Sequence, residues 1–411
     1  MENGINIPDN GLYDLHAHIS GSVKPETLFD LILRYRLYKV KREQLYRLLE
    51  PFCPGLIDSL AKESGYQEDD RRYFIDNFVY NENSRVLKKT MSNFKSILQR
   101  FPVVNVVLCN GRIRTEATEA VCVDSYTEGV RYLELRADPF SPVRAGTAAD
   151  PVDVINEYVA GIENAMSKLD GFEANLTLGI AKQHYVDDLG RPDSQKIGNL
   201  EKQMEKIDEH LSHHRNASDI VVGIDAVNQE ILPMKSLEGV FRYAREEMGL
   251  VAVPHAGESP RSLEEGLDNI MESIHSLHSA RIGHGLAAII DPNIYFRQKD
   301  DFGKEYTKGR IDRIIQRQED VLDELKDSGV AVEINPTANI MVSDIKDFAD
   351  HPIRKLMNKK IPVVIGTDDK GIFGKSLKSE IFSISKAQNL SSEDVSKLIE
   401  DSKKYSIKNM R

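Results

Sequence analysis

The sequence predicts an α/β protein built on a (β/α)8 TIM-type barrel, with a helical insertion after the first strand. Two observations carry this prediction. Eight short apolar runs end in polar residues, and helical-looking segments separate most of them. Strands that alternate with helices are typical of a parallel sheet closed into a barrel. One barrel with an insertion accommodates all 411 residues, so we expect a single domain over residues 1–411.

The candidate strands are short runs of mainly aliphatic residues. In chain order they are Leu12–His16, Val130–Leu135, Asn175–Ile180, Ile220–Ile224, Leu250–Val253, Arg281–Gly283, Ala331–Ile334 and Pro362–Ile365. The run at Arg281 is too short to convince alone and depends on its place in the series. The helical segments between the runs include Pro151–Leu169, Leu232–Met248, Leu263–His278 and Arg310–Ser328.

The longest interval between two candidate strands separates the first run from the second. Within it, Lys24–Glu50 and Arg71–Phe101 have helical patterns, and Pro25 stands near the start of the former. The apolar stretch Phe101–Leu108 suits a ninth strand, but its position between helical patterns favours a loop or a helix start. We therefore expect residues 23–128, approximately, to form a helical insertion over the barrel mouth.

Two further segments lie outside the barrel pattern. The polar stretch Asp187–Gln203 predicts an exposed loop that leads into a helix, and Ser391–Arg411 predicts a surface helix followed by a tail.

Composition narrows the choice of partners. The net charge is −11, which disfavours a polyanion over the whole surface but leaves room for a local basic patch. We expect no nucleic-acid partner. Neither a signal peptide nor a stretch of membrane-spanning length is apparent, which predicts no membrane partner. Cys53, Cys109 and Cys122 are widely spaced, as suits buried thiols in a reducing cytoplasm. The oligomeric state stays open.

The stretch around His16 and His18 is the first candidate for chemistry. Residues i and i+2 of a strand point to the same side, so both imidazoles can face one point. This is half of a metal site. On its own, a pair of histidines with this spacing is weak evidence for metal binding.

The ends of the later runs supply the other half. His255 and Glu258 follow the fifth run, His284 follows the sixth, and Asp368 and Asp369 follow the eighth. In a parallel barrel these strand ends converge at one face. Zinc prefers nitrogen ligands, accepts a carboxylate oxygen, and in catalytic sites keeps one position for water.

These residues predict a site for one zinc ion, with distinct roles for its neighbours. His16, His18, His255 and Asp368 would bind the metal. Glu258 would act as acid or base. His284 would position the attacking hydroxide, and Asp369 would face the substrate.

Each of these residues, taken alone, also has a purely structural interpretation. His284 lies between glycines, as many loop residues do, and Asp368–Asp369 suits a helix N-cap. The shared placement at strand ends favours the site. The remaining histidines lie in polar or helical stretches, where solvated or packing roles are expected: His210, His213, His214, His275, His278 and His351. His184 follows the third run and is a possible pocket residue.

These motifs together resemble the adenosine deaminase family of metal-dependent hydrolases. The matching stretches run from about Leu12 to Glu380 and include His16–His18, His255–Glu258, Gly283–Gly285, Thr367–Asp369, Tyr132–Arg136, Gly223–Asp225 and Asn335–Asn339. The resemblance implies a (β/α)8 barrel, one catalytic zinc and hydrolytic removal of ammonia from an aminopurine.

The resemblance also implies residue roles that agree with those above. Glu258 corresponds to the acid that protonates purine N1, His284 and Asp368 to residues that orient the hydroxide, and Asp369 to the partner of N7. His18 belongs to the substrate-facing set as well as to the metal ligands. A two-metal enzyme would need a carboxylated lysine near strand four, where the sequence has none; Lys182 is the nearest weak candidate.

Three departures from the family concern the substrate. Ser20 replaces an aspartate that meets the ribose 5′-hydroxyl, so a charge that would repel a 5′-phosphate is missing. Asn228 replaces a glycine whose backbone N–H meets purine N3. Lys370 replaces a proline, and solvent is favoured over an anionic partner for its side chain. A nucleotide or modified aminopurine therefore stays open as the substrate, besides adenosine.

The insertion offers two more substrate-facing candidates. Phe74 and Phe78 share a helical face in a segment that resembles the family's pocket roof. Ordinary core packing explains them equally well. A catalytically idle, regulatory family member is a further alternative, which the intact set of metal and catalytic positions disfavours.

Overall fold

The computed structural model describes residues 7–62, 67–80, 99–293, 295, 300, 303–343 and 345–411. Within these residues the strands, in chain order, are β1 Leu12–His18, β2 Val130–Ala137, β3 Glu173–Ala181, β4 Val221–Val227, β5 Val251–Ala252, β6 His255–Ala256, β7 Arg281–His284, β8 Ala331–Ile334 and β9 Val363–Ile365.

All neighbouring strands are parallel, in the orders β1-β2-β3-β4-β5 and β6-β7-β8-β9. Val253 and Pro254 separate β5 from β6, so the predicted fifth strand exists in two pieces. At the other junction, Asp368 N–H donates to His16 O at 2.8 Å and His18 N–H donates to Asp368 O at 2.9 Å. The predicted eight-stranded barrel architecture is confirmed, with its strands in the expected order.

Helices fill the connections between strands and pack around the sheets. Their bounds are Ile19–Ser22, Pro25–Arg34, Leu37–Val40, Arg42–Leu49, Leu56–Leu60, Glu68–Phe78, Arg100–Val107, Gly111–Thr127, Phe140–Arg144, Pro151–Met166, Ser194–His213, Arg215–Ile220, Glu238–Glu246, Leu263–His275, Leu286–Ile289, Lys308–Ser328, Pro336–Val342, Ile353–Asn358, Lys370–Phe373, Leu377–Ala387, Ser392–Lys404 and Ile407–Met410, with 3-10 turns at Lys182–Tyr185 and Met234–Leu237. Among the described residues, no helix combines the length and the apolar character needed to cross a membrane.

The segment between β1 and β2 is helical, as expected, but more broken than its sequence suggests. Lys24–Glu50 forms three helices, with Arg36 in the left-handed region at φ 51°. Phe101–Leu108 lies almost wholly in a helix and forms no strand. Of the helix predicted over Arg71–Phe101, residues 81–98 lie outside the described residues.

The insertion contacts the segment that follows β9. Tyr80 N–H donates to Ile372 O at 2.7 Å, two residues beyond Lys370. A Cβ built on Gly374 would lie 2.8 Å from Val79 Cγ1. These contacts place part of the insertion beside the carboxyl ends of the strands. The division of the chain into one domain with this insertion stays a prediction.

The C-terminal segment contradicts the expected tail. Ile407–Met410 is a helix, and the Ile407 side chain is fully buried. Ile407 N–H donates to Glu134 Oε1 at 2.7 Å, and Arg281 donates to Tyr405 O at 2.6 Å. Because Arg281 begins β7, this segment covers the end of the barrel that lies opposite the strand ends bearing His284 and Asp368. The sequence of this segment is highly charged, and for that reason the burial of Ile407 was not predicted.

Candidate active site

Three imidazoles and a carboxylate converge at the carboxyl ends of the strands. The Nε2 atoms of His16 and His18 lie 3.3 Å apart, and each lies 3.1 Å from His255 Nε2. Asp368 Oδ1 lies 3.5 Å from His18 Nε2 and 3.9 Å from His16 Nε2. Strand alternation on β1 directs the first two rings, and the third belongs to the first residue of β6, directly after Pro254.

Buried carboxylates fix the ring orientation of two of these histidines. His16 Nδ1 lies 2.7 Å from Glu333 Oε2, and His255 Nδ1 lies 2.9 Å from Asp225 Oδ1. Burial lowers the pKa of both histidines well below its usual value, so the rings are neutral. A carboxylate accepts hydrogen bonds, so each Nδ1 carries the proton and each Nε2 presents a lone pair.

This donor set fits one divalent cation. Lone pairs that face each other across 3.1 Å repel unless a cation lies between them. Ligand atoms about 2.0–2.1 Å from a tetrahedral zinc lie roughly 3.3 Å from each other, close to the separations seen here. His16, His18, His255 and Asp368 would hold the ion, as the sequence predicts. His284 joins the same cluster through His16 and Asp368.

A layer of buried charged residues lies behind the histidines, and the sequence analysis assigned no role to it. Arg136 donates to Asp225 Oδ2 at 2.7 Å and to Glu333, while Arg281 donates to Glu333 Oε1 at 2.6 Å and to Glu134. All five side chains are buried. Each charge has an opposite partner, which a buried ion requires. Charged residues within or directly after an apolar run, such as Glu134 in the second run and Arg136 after it, were the available clue.

Glu258 lies beside the histidine cluster, on a loop whose backbone is bound by a buried carboxylate. The Glu230 carboxylate accepts hydrogen bonds from the backbone N–H groups of Gly257, Glu258 and Ser259, at 2.7, 2.5 and 2.9 Å. Burial raises the pKa of Glu258 well above its usual value, and the Asp368 charge adds to the rise. A carboxyl group that keeps its proton near neutral pH can act as a general acid. Glu230 was missed because it lies in a polar loop.

His284 stands between the two acids. Its Nε2 lies 3.5 Å from Glu258 Oε1 and 3.6 Å from Asp368 Oδ2. The backbone has φ 65°, a left-handed conformation that non-glycine residues seldom adopt and that is common at functional sites. Burial holds the pKa of His284 well below its usual value. The ring is therefore neutral.

The two adjacent aspartates have different neighbours, although their side chains also hydrogen-bond to each other. Asp368 also has a left-handed backbone, at φ 59°, and burial raises its pKa to about 7. A divalent cation nearby would favour its ionised form. Asp369 packs against Gly21, where an added Cβ would lie 1.6 Å from Asp369 Oδ1. The glycine after the first strand thus makes room for Asp369, whose pKa burial raises well above its usual value.

The three positions that depart from the family have different surroundings. Ser20 is partly exposed on the helix Ile19–Ser22, just beyond His18. Asn228 is exposed at φ 67°, which explains why glycine suits this position and why asparagine can replace it. The expectation of a solvated Lys370 is wrong. Its side chain is buried and donates to Ser125 Oγ at 2.9 Å and Glu128 Oε2 at 3.1 Å.

Phe74 and Phe78 lie in an aromatic cluster of the insertion. Their rings stack with centroids 5.2 Å apart, and they contact Phe29 and Phe52. Both side chains are fully buried. These contacts match the packing interpretation, and a role as pocket roof stays a prediction.

Lys182 and His184 both follow β3 but differ in their surroundings. Lys182 is buried and donates to His255 O at 3.0 Å, so its ammonium stabilises the backbone of β6. Burial lowers the pKa of Lys182. His184 is exposed, and its Nε2 lies 3.4 Å from Gln183 Nε2. Its role in the pocket stays a prediction.

Comparison with known proteins identifies relatives along nearly the whole chain. Residues 54–410 match the family described as adenosine deaminase. The adenosine deaminase of Clostridium kluyveri is 23% identical over 390 residues, which cover 94% of this chain and 87% of that protein. The family match begins after His16 and His18, and the structure brings both residues to His255, which lies within it.

Solved structures show the same fold. An amidohydrolase from Burkholderia ambifaria with bound zinc has a TM-score of 0.64 and 16% identity, covering 98% of this chain and 90% of that one. The Arabidopsis N6-mAMP deaminase has a TM-score of 0.63 and 19% identity, covering 97% and 94%. At such identities the likeness concerns the architecture, which is the TIM-type barrel predicted from the sequence.

Proposed function

Because the chain belongs to the adenosine deaminase family and is a hydrolase that deaminates aminopurines, we propose that it uses one zinc ion to convert adenosine, or a close 6-aminopurine nucleoside, to the inosine-type product and ammonia. The observation that carries this proposal is the convergence of the His16, His18 and His255 nitrogens beside Asp368, Glu258 and His284.

The proposed metal ligands are His16, His18, His255 and Asp368. When bound, the ion would supply a Lewis acid that lowers the pKa of water at its open position. Glu333 and Asp225 hold the rings of His16 and His255 in the tautomer that a ligand needs. The nitrogen-rich donor set supports zinc over magnesium or calcium, which prefer oxygen ligands.

The acids of the site have separate tasks in this proposal. Glu258, protonated because burial raises its pKa, donates its proton to purine N1 and makes C6 more electrophilic. His284 positions the water that adds to C6, and ammonia leaves from that carbon. Asp369, whose raised pKa favours a carboxyl that keeps its proton, donates a hydrogen bond to N7. His18, Ser20, Asn228, Phe74 and Phe78 complete the proposed substrate-facing set.

A second substrate class is favoured by one residue. Ser20 is neutral, and it follows His18 by two residues, where a 5′ group would lie in the family arrangement. A nucleotide would meet no carboxylate at that position. Deamination of a 5′-monophosphate or an N6-modified form is therefore the alternative, and the fold shared with the N6-mAMP deaminase is compatible with it.

A substrate panel separates these possibilities. The purified, zinc-loaded protein is incubated with adenosine, deoxyadenosine, AMP, adenine and their N6-methyl forms, and ammonia or methylamine is measured. We expect release from adenosine. A higher kcat/KM for AMP or a methylated form would select the alternative, and no release from any member would refute both. Metal analysis of protein purified without added zinc tests the identity of the ion.

We also propose a cytoplasmic location. Cys53 and Cys122 are buried free thiols and Cys109 is unpaired, which suits a reducing compartment.

A further inference from the structure

A buried chain of hydrogen bonds leads from the helix Ile353–Asn358 to His284. Ile353 N–H donates to His351 Nδ1 at 3.2 Å. His351 Nε2 lies 3.3 Å from Asn339 Oδ1, and Asn339 Nδ2 lies 2.9 Å from His284 Nδ1. The side chains of His351, Asn339 and His284 are all at most 2% exposed. This chain of hydrogen bonds was not predicted, because His351 lies in a polar stretch of the sequence.

The direction of this chain is fixed at its far end. A backbone N–H can only donate, so His351 Nδ1 must be the acceptor. Burial lowers the pKa of His351 to about 3, and the neutral ring therefore carries its single proton on Nε2. That N–H requires an acceptor, which assigns Asn339 Oδ1 to the side facing His351. The amide nitrogen of Asn339 then faces His284 and donates to its Nδ1.

We infer that His351 and Asn339 are positioning residues that hold His284 in the tautomer with its proton on Nε2. This N–H faces Glu258 Oε1 and Asp368 Oδ2, and His284 Nε2 has no hydrogen-bond partner within the described part of the chain. The opposite tautomer would place two N–H groups, of His284 and Asn339, against each other. Turning the Asn339 amide would move the conflict to His351, whose Nδ1 already accepts from Ile353.

The consequence for the reaction rests on the proposed function. A neutral His284 with a proton on Nε2 donates a hydrogen bond to the attacking water and cannot remove its proton. Its task is to align the water oxygen with C6.

The tautomer is measured directly in the metal-loaded protein labelled with 15N-histidine. Two-bond 1H–15N correlation spectra distinguish the two ring nitrogens, and a His284→Asn variant identifies the signals of His284. We expect Nε2 to carry the proton. A proton on Nδ1 of His284 would overturn the inference, and this readout does not depend on turnover, so it fails separately from the proposed function.

Three variants test the chain that sets the tautomer. Asn339→Asp replaces the donor by an acceptor, so the His284 proton should move to Nδ1 and kcat should fall by about tenfold or more, with KM and metal content nearly unchanged. His351→Phe should also lower kcat. His351→Gln, which keeps a donor for Asn339, should restore most of it.

A matched control separates this effect from a loss of stability. Leu356 is fully buried on the helix Ile353–Asn358 and lies outside the hydrogen-bond chain. Leu356→Ala should lower the melting temperature and leave the His284 tautomer and kcat unchanged. Equal losses of kcat in His351→Phe and His351→Gln, or full kcat in Asn339→Asp, would contradict the inference.

Discussion

The two halves of the candidate site differ in how their side chains are held. In the metal-facing half, His16, His18 and His255 project from strands, and buried acids hold two of the rings from behind. In the proposed substrate-facing half, Ser20 lies on the short helix Ile19–Ser22 and is partly exposed, and Asn228 is exposed directly after β4. The difference teaches that the barrel fixes the proposed metal ligands, whereas these two positions of the proposed substrate-facing set are more open to solvent.

The largest expected effect removes the proton donor beside the metal-facing half. Glu258→Gln keeps the size of the side chain but cannot protonate N1, so kcat should fall by about 10²–10⁴-fold while bound metal is retained. Steady-state kinetics and metal analysis measure both quantities.

An exposed glutamate provides the matched control for this test. Glu246 lies on the exposed surface of the helix Glu238–Glu246, and Glu246→Gln should leave turnover unchanged. If Glu258→Gln turned over at nearly full speed, another group would be the acid.

The next effect tests whether the buried acids serve the histidines. Glu333→Gln weakens the hydrogen bond to His16 Nδ1 and removes the negative charge that pairs with Arg136 and Arg281. Metal affinity should therefore fall by about 10–100-fold. Competition with a chelator measures the affinity. Loss of catalysis at saturating metal should be smaller.

Glu134 provides the matched control within the same buried layer. It pairs with Arg281 and accepts from Ile407 N–H, and no hydrogen bond to a histidine is found for it among the described residues. Glu134→Gln should lower the free energy of unfolding by a few kcal/mol, because it leaves a buried arginine less well paired, without changing metal affinity. Equal losses of affinity in Glu134→Gln and Glu333→Gln would show that the effect is general destabilisation.

The two halves of the candidate site also differ in how well the sequence predicts them. The period of a strand places His16 and His18 on one face, and parallel strands bring His255, His284 and Asp368 to the same end, so the metal-facing residues could be found by spacing alone. The order of the strands could be found in the same way. The break of the fifth strand at Pro254 was not expected, although proline removes a donor from the ladder there.

What the sequence could not show depends on distant partners. Glu333 approaches His16 across 317 positions of the chain, and Asn339 reaches His284 across 55. Neither pairing leaves a local pattern. Lysine side chains are rarely buried unpaired, so the burial of Lys370 likewise depends on its partners. Its partners Ser125 and Glu128 lie on and next to a helix that precedes β2, and only the fold brings them to it.

A smaller effect is expected in the substrate-facing half. Ser20→Asp adds a charge near the expected 5′ group and should lower the ratio of kcat/KM for AMP to that for adenosine by about tenfold, since like charges placed together are costly. Ser20→Asn, which has a similar size and no charge, should change the ratio little. An unchanged ratio in Ser20→Asp would place the 5′ group elsewhere.

The smallest kinetic effect is expected at Lys370, the position that moved from solvent to the interior. Its ammonium pairs with Glu128, whose side chain is one fifth exposed at 20%, so solvent weakens the interaction. Lys370→Met keeps the length of the side chain and should lower the free energy of unfolding by about 1–2 kcal/mol, measured by denaturant titration. The ratio of kcat/KM for AMP to adenosine should not change. A fall in that ratio comparable to the one at Ser20 would return Lys370 to the substrate-facing half and show that its ammonium reaches a phosphate during the reaction.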